Sequence, residues 1–211
     1  MSPVRQLEPA ALAVGLSKKR NNAIAALLAG ILPALILGYH LPFSWLRVVI
    51  GFVIGLFWAN AFEYAYHRWL LHWPKSEFGK GHLRHHMTTG MPQEPEHVTL
   101  GSSPWAVVAL FVINGVPLIA LDLTLRLGVS PAIFLAWSVY FIVLEEVHWR
   151  IHLGPRLPKV LRFAEAYHLS HHDIPAERFN VFLPVCDAIF RSSAGTLIPA
   201  SCKPHKQQRT N

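Results

Sequence analysis

The sequence predicts an all-α integral membrane protein with four transmembrane helices and a cytoplasmic, histidine-rich helical cap. Hydrophobic residues make up 52% of the chain and charged residues 15%, whereas soluble domains usually carry roughly 25% charged residues. Four long apolar runs follow one another, and histidine motifs come after the second and the fourth run. These observations indicate a membrane protein whose polar chemistry lies at one membrane face.

Each apolar run has about 17 residues, the lower end of the length that crosses a bilayer as a helix. The runs lack the polar stripe of an amphipathic helix, which disfavours the alternative of a soluble helical bundle. Pro33 and Pro117 stand inside runs, where a membrane helix tolerates a kink. The predicted spans are 23–39, 46–62, 105–121 and 131–147.

The rest of the chain divides into an N-terminal arm at 1–22 and a C-terminal tail at 196–211, with the membrane domain at 23–195. Of the 19 Lys and Arg residues, all but Arg47 and Arg126 fall on the side of the two termini. The positive-inside rule places that side, with both termini and the active site, in the cytoplasm. The net charge of +7 comes from scattered residues without a nucleic-acid motif, so no nucleic-acid partner is expected.

Ten of the thirteen histidines fall on this same face, although two spans separate them in sequence. They form the motifs HxxxxH, HxxHH, HxxxH and HxxHH, whereas His40, His97 and His205 fit no cluster. Repeated histidine clusters indicate metal binding, because imidazole is a common ligand. The ten candidate metal ligands are His67, His72, His82, His85, His86, His148, His152, His168, His171 and His172.

Helical spacing suggests how the ligands combine. His148 and His152 share a helix face and could bind one ion. The three histidines of each HxxHH motif could bind one ion together in the same way. His67 and His72 differ, because five residues make about 500° of turn and leave the rings roughly 140° apart. Either the helix is distorted there, or the two rings serve different ions.

Ten ligands exceed what one ion accepts, so the count favours two metal ions. Imidazole suits iron, zinc and copper alike, and ligand type does not separate them. A site at the membrane boundary with apolar walls is placed to act on a lipid. Oxidation of an unreactive C–H bond needs a redox metal and O2, which favours iron over zinc.

The four motifs, in this order between paired spans, resemble those of the fatty acid hydroxylase/sterol desaturase superfamily of membrane di-iron enzymes. The resemblance covers roughly 50–195 and is greatest to the fatty acid 2-hydroxylase branch. It includes the segment FNVFLPVCDAIFRS, which is similar to a family stretch with Asn180, Pro184, Asp187 and Phe190 at the matching positions. Arg191 stands where the family often has glycine.

The resemblance implies a membrane oxidoreductase with two iron ions, zinc being a substitute, that uses O2 to oxidise a C–H bond of a lipid. Hydroxylation of a fatty acyl chain is the first expectation, and desaturation of a sterol or acyl chain is the alternative. The ten histidines would be the metal ligands, with no separate catalytic residue. The implied electron donor is a ferredoxin, a rubredoxin or a b-type cytochrome.

Four polar residues are candidate hydrogen-bond partners of the ligand imidazoles: Glu145, Glu146, Asn180 and Asp187. A buried carboxylate can orient a ligand histidine, but the two glutamates could equally face water, and Asn180 and Asp187 could cap a turn. Among other functions, a zinc protease with HExxH is excluded because no His-Glu dipeptide occurs. A zinc-dependent lipid hydrolase stays open on ligand type alone.

Overall fold

The computed structural model describes residues 6–193, and this part of the chain is helical without a strand. The predicted tail at 196–211 lies outside the described residues. A π-helical turn, Tyr66–Leu71, continues the second helix, and short 3-10 turns cover Glu94–Glu96 and Lys159–Leu161. The α-helices are α1 (Pro9–His40), α2 (Trp45–Ala65), α3 (Glu77–Thr88), α4 (Pro104–Leu125), α5 (Ser130–His152), α6 (Arg162–Asp173) and α7 (Val185–Ile189).

Four of these helices are long and apolar enough to cross a membrane: α1, α2 with its π-helical turn, α4 and α5. The prediction of an all-α membrane protein with four spans is confirmed. Helix α1 starts at Pro9, so most of the predicted arm at 1–22 is helix that runs directly into the first span. Proline is favoured in the first helical turn, and no proline follows it before Pro33 to interrupt the helix.

Helix α5 is the centre of the bundle, since fifteen of its 23 residues are buried and it packs against both α1 and α2. The other three spans turn large apolar side chains outward, as Leu35, Val53 and Ile113 do at 60–67% exposure. Such a surface would be a liability in water but suits the hydrocarbon core of a bilayer.

Small residues let the outer helices approach α5 closely. A Cβ atom at Gly30 of α1 would lie 1.8 Å from the Ser138 hydroxyl, and one at Gly55 of α2 would lie 2.9 Å from the Ile133 carbonyl oxygen. The Ser138 hydroxyl donates to the Ala26 carbonyl at 2.7 Å across the same α1–α5 contact. Close backbone approach with interhelical hydrogen bonds is how helices associate in lipid, where apolar side chains gain little from leaving it.

The loop between α4 and α5 is closed by a buried carboxylate. Asp122 accepts hydrogen bonds from the amides of Gly128 and Ser130, both at 2.6 Å, and of Val129 at 3.0 Å. These amides lead into the first turn of α5, whose donors would otherwise be unpaired. The interaction fixes the α4–α5 hairpin at the end remote from the histidines.

At the opposite end, α3 and α6 lie outside the spans and carry the two HxxHH motifs; these two helices form the histidine-rich cap. Ser76 caps α3 by accepting from the Gly79 amide at 2.8 Å. The end of α5 is tied to α1, because Glu146 pairs with Lys19 and also accepts from Arg150 at 2.5 Å. The cap is therefore joined to the bundle by continuous helices and by ion pairs at its edge.

Gly55→Ala should lower the thermal stability of the detergent-solubilised protein, because the added methyl group meets the α5 backbone. Overpacking of this kind costs about 1–3 kcal/mol. Gly38→Ala is the matched control, since a Cβ atom there would have no neighbour within 4 Å. Fluorescence-detected thermal unfolding of both variants makes the comparison, and equal midpoints would contradict the packing described for α2 and α5.

Candidate metal centre

The ten predicted ligands come together in two groups of five. In each group, one nitrogen from every imidazole lies within 4.8 Å of the others. The first histidine group comprises His67, His72, His82, His86 and His171, and the second comprises His85, His148, His152, His168 and His172. The groups are adjacent, since the rings of His86 and His172 stack with centroids 4.2 Å apart.

Both HxxHH motifs divide between the groups instead of serving one ion each. His82 and His86 join the first group while His85 joins the second, and in α6 His171 separates from His168 and His172. In a helix, the side chain at position i+4 is rotated by about 40° from that at position i, whereas the side chain at i+3 is rotated by about 60° in the opposite direction. Helices α3 and α6 therefore each lie across both groups, and α5 supplies His148 and His152 to the second group alone.

The HxxxxH pair stays in one group because the helix is distorted. Residues Tyr66–Leu71 form a π-helical turn, in which the hydrogen bond spans five residues instead of four. Five residues then make about one turn, so that His67 and His72 face the same way with ring centroids 5.2 Å apart. Of the two explanations left open by the spacing, the distorted helix is the one observed.

In each of these imidazoles, an inner nitrogen faces the other histidines of its group and an outer nitrogen faces away from them. The hydrogen bonds of the outer nitrogens establish which nitrogen holds the proton. The Nδ1 atoms of His67 and His171 lie against the carbonyl oxygens of Phe179 and Glu177, the latter at 2.6 Å. A carbonyl can only accept, so each Nδ1 carries the hydrogen and each Nε2 keeps a lone pair. These Nε2 atoms point into the first group.

Lone pairs that converge in this way repel one another unless a cation lies between them. The Nε2 atoms of His67 and His82 are 2.9 Å apart, and those of His148 and His168 are also 2.9 Å apart. Neither ring nitrogen of the buried His85 has a hydrogen-bond partner among the described residues. The donor set thus fits two divalent cations that imidazole binds well.

The surroundings keep the cap histidines neutral, as metal ligands must be. Burial, with a contribution from neighbouring histidines, lowers the pKa of His85 and His168 well below the ordinary value. Burial also lowers the pKa of His86 to about 4 and that of His172 to about 2. A protonated imidazole has no lone pair at the inner nitrogen, so this environment preserves the ligand form.

The four predicted polar partners lie near the centre without hydrogen-bonding a histidine among the described residues. Glu145 accepts from the Gly101 amide at 2.8 Å, and Glu146 forms the ion pairs with Lys19 and Arg150. Asp187 accepts from the amides of Phe179 and Asn180 at 3.0 and 2.8 Å. It therefore caps the turn whose Phe179 carbonyl accepts from His67, the alternative that sequence reasoning kept open.

Asn180 ties the same turn to the second span. Its side-chain amide donates to Glu63 at 3.0 Å and to the Asn60 carbonyl at 3.1 Å. Arg191, near the end of this segment, has φ of 54°, in the region that glycine adopts at least cost. A glycine at this position would adopt the same conformation without the strain that a side chain adds.

Glu94 is a contact of the centre that sequence reasoning missed. Its carboxylate is fully buried and lies 2.7 Å from Nδ1 of His152. Thr89, also missed, places its hydroxyl 3.1 Å from Nδ1 of His172. Neither residue belongs to a motif, since both are brought to the centre by the loop after α3.

An apolar cavity between α2, α4 and α5 reaches the first histidine group. His67 is the histidine in its wall, and Val107, Phe111 and Leu144 are typical of the remainder. Glu63 also borders the cavity, but its oxygens are engaged by Tyr140, Asn180 and Val181. The cavity therefore offers an apolar surface directly beside a metal-binding group.

A polar groove adjoins this cavity on the cap side. Its lining includes His82 and His85, together with the charged residues Lys18, Arg84 and Glu96. Leu71 and Leu100 belong to the walls of both spaces. An elongated molecule with a polar head could thus lie with its head in the groove and its chain in the cavity.

Together these features define a class: a helical membrane protein with two adjacent histidine groups that fit metal ions, beside an apolar cavity. The family model for fatty acid hydroxylase matches residues 52–192, and the chain belongs to that family. The solved structure of full-length Scs7p, in which only the hydroxylase domain is visible, has a similar fold. It gives a TM-score of 0.53 at 22% identity, covering 90% of this chain and 68% of that one. No curated protein matched the sequence.

The double variant His82→Ala/His86→Ala should lose about one of two bound metal ions per chain. Both residues belong to the first group, so the second group keeps all five ligands. Elemental analysis of the purified, iron-loaded protein gives the count, and His97→Ala, outside both groups, should keep two ions. Loss of both ions from the double variant would contradict the division into two separate groups.

Proposed function

We propose that this protein hydroxylates a fatty acyl chain of a membrane lipid in an O2-dependent reaction at two iron ions. Membership of the fatty acid hydroxylase family makes it a lipid-modifying enzyme of this general kind. The observation that carries the finer proposal is the contact between the centre and the cavity. His67 belongs to the first histidine group and also lines the apolar cavity.

The ten histidines would hold the two ions, five to each group. When bound, two iron ions supply the O2 activation needed to remove hydrogen from an unactivated C–H bond. Zinc fits the same imidazoles but has no redox chemistry, which is why iron is the metal proposed. The protein fixes the ligand tautomers through the Nδ1 contacts and excludes water through the apolar walls of the cavity.

The way in which the cavity and the groove meet supports a reaction near the polar end of the lipid. His67 borders the cavity and His82 borders the groove, yet their Nε2 atoms are only 2.9 Å apart in one group. A lipid with its chain in the cavity and its head in the groove would present a carbon close to its head group. This arrangement supports placing the enzyme in the fatty acid 2-hydroxylase branch.

The proposed orientation puts the cap and both termini in the cytoplasm, where the reductant is available. The cap side is rich in exposed basic residues, among them Lys75, Lys80, Arg84, Arg156 and Lys159. An acidic donor such as a ferredoxin, a rubredoxin or a b-type cytochrome would be attracted to this face. Anionic lipids would be attracted by the same charges.

Lipid analysis of cells that express the protein tests the reaction directly. We expect an acyl product that is heavier by one oxygen atom, that requires O2 and that disappears in His85→Ala and His168→Ala. A product lighter by two hydrogen atoms would assign desaturation instead. Tightly bound zinc with no O2-dependent product would overturn the proposal in favour of a lipid hydrolase.

Val107→Phe should shift the reaction towards shorter acyl chains without changing the metal content. Val107 is fully buried in the cavity wall, so a larger side chain would fill space needed by the lipid. Val112→Phe is the control, because Val112 lies on the same helix and is 54% exposed on its outer side. The measurement is the chain-length distribution of the products, and an unchanged distribution would argue against the cavity as the acyl site.

A further inference from the structure

The two histidine groups differ in the hydrogen-bond acceptors that hold their outer nitrogens. In the first group, the acceptors at His67 and His171 are backbone carbonyls, of Phe179 and Glu177. In the second group, the acceptor at His152 is the carboxylate of Glu94. The second group therefore has a carboxylate behind one of its imidazoles, whereas the two acceptors named for the first group are neutral carbonyls.

Glu94 is held firmly in place. Its Oε2 accepts from the Gly90 amide at 2.7 Å, while Oε1 faces His152. The turn that carries it is fixed to α1, since the Glu8 amide donates to the Pro92 carbonyl at 2.9 Å and Lys18 donates to the Glu96 carbonyl at 2.9 Å. The N-terminal part of α1 thus supports the turn that carries the carboxylate.

A carboxylate behind a ligand imidazole acts more strongly than a carbonyl. It fixes the tautomer, raises the basicity of the inner nitrogen and supplies a full negative charge that stabilises a cation. His152 Nε2 lies 3.1 Å from His168 Nε2, inside the second group. The effect of Glu94 is therefore directed at one of the two metal positions.

The groups also differ in their access to the surroundings. Two members of the first group, His72 and His86, are only partly buried, whereas in the second group only His172 is. The apolar cavity touches the first group through His67 and includes no member of the second group in its wall. The polar groove reaches one histidine of each group and does not distinguish them. The deeper burial of the second group and the carboxylate behind it should both slow the release of an ion from that group.

We propose that the two metal positions are unequal and that Glu94 is the positioning residue that makes them so. The second histidine group holds the tighter ion, and the first group holds a more exchangeable ion beside the lipid. The inference rests on the proposed function for the presence of two ions. It does not depend on which product forms, because ion release can be followed with iron or zinc.

Timed release from the intact, detergent-solubilised protein to a chelator tests the inequality. We expect wild-type protein to lose its ions in two phases of about one ion each. Glu94→Gln should accelerate the slow phase about tenfold or more, in line with the effect of removing such a partner, and leave the fast phase unchanged. Glu145→Gln is the matched control, since Glu145 is also buried but accepts from the Gly101 amide and contacts no histidine by a hydrogen bond among the described residues.

A second measurement needs no variant. Wild-type apoprotein that receives one equivalent of ⁵⁷Fe(II) should give one Mössbauer doublet, and a second doublet should grow with the next equivalent. Simultaneous growth of two doublets, release in a single phase, or equal acceleration of both phases by Glu94→Gln would overturn the inference. A missing lipid product with two-phase release would instead count against the proposed function alone.

Discussion

The convergence of ten imidazole lone pairs is the constraint on which the rest of the structure depends. Seven of these histidines are buried, and burial is tolerable only when their nitrogens have partners. Carbonyls, a hydroxyl and a carboxylate satisfy several outer nitrogens, which leaves the inner nitrogens facing one another. Metal binding would stabilise this arrangement, so the free energy of ion binding is coupled to the folding of the cap.

The bundle is built to deliver those histidines to one face. Helix α5 extends without a break from the span to His148 and His152, and α2 reaches His67 through its π-helical turn. Since a helix is rigid over this length, packing among the spans determines where these ligands lie. The small residues facing α5 therefore matter for the metal centre, although they are remote from it.

Most polar residues near the histidine groups affect the histidines indirectly, by holding the backbone that contacts them. Asp187 and Asn180 hold the turn whose carbonyl accepts from His67, while Glu63 joins that turn to α2 and Tyr140. Such a network is stable in an apolar setting because its donors and acceptors are paired. It also leaves the adjoining cavity wall apolar in character.

The sequence by itself determined the four spans and the ten histidines, because hydropathy and motif spacing are local properties. It left open how His67 and His72 could act together, and it grouped each HxxHH motif as a unit. Only the tertiary structure decided the division into five and five, since that depends on how α3 and α6 lie across both groups. Glu94 could not be found from the sequence for the same reason: a loop far from His152 in the chain brings it there, and no local pattern records that contact.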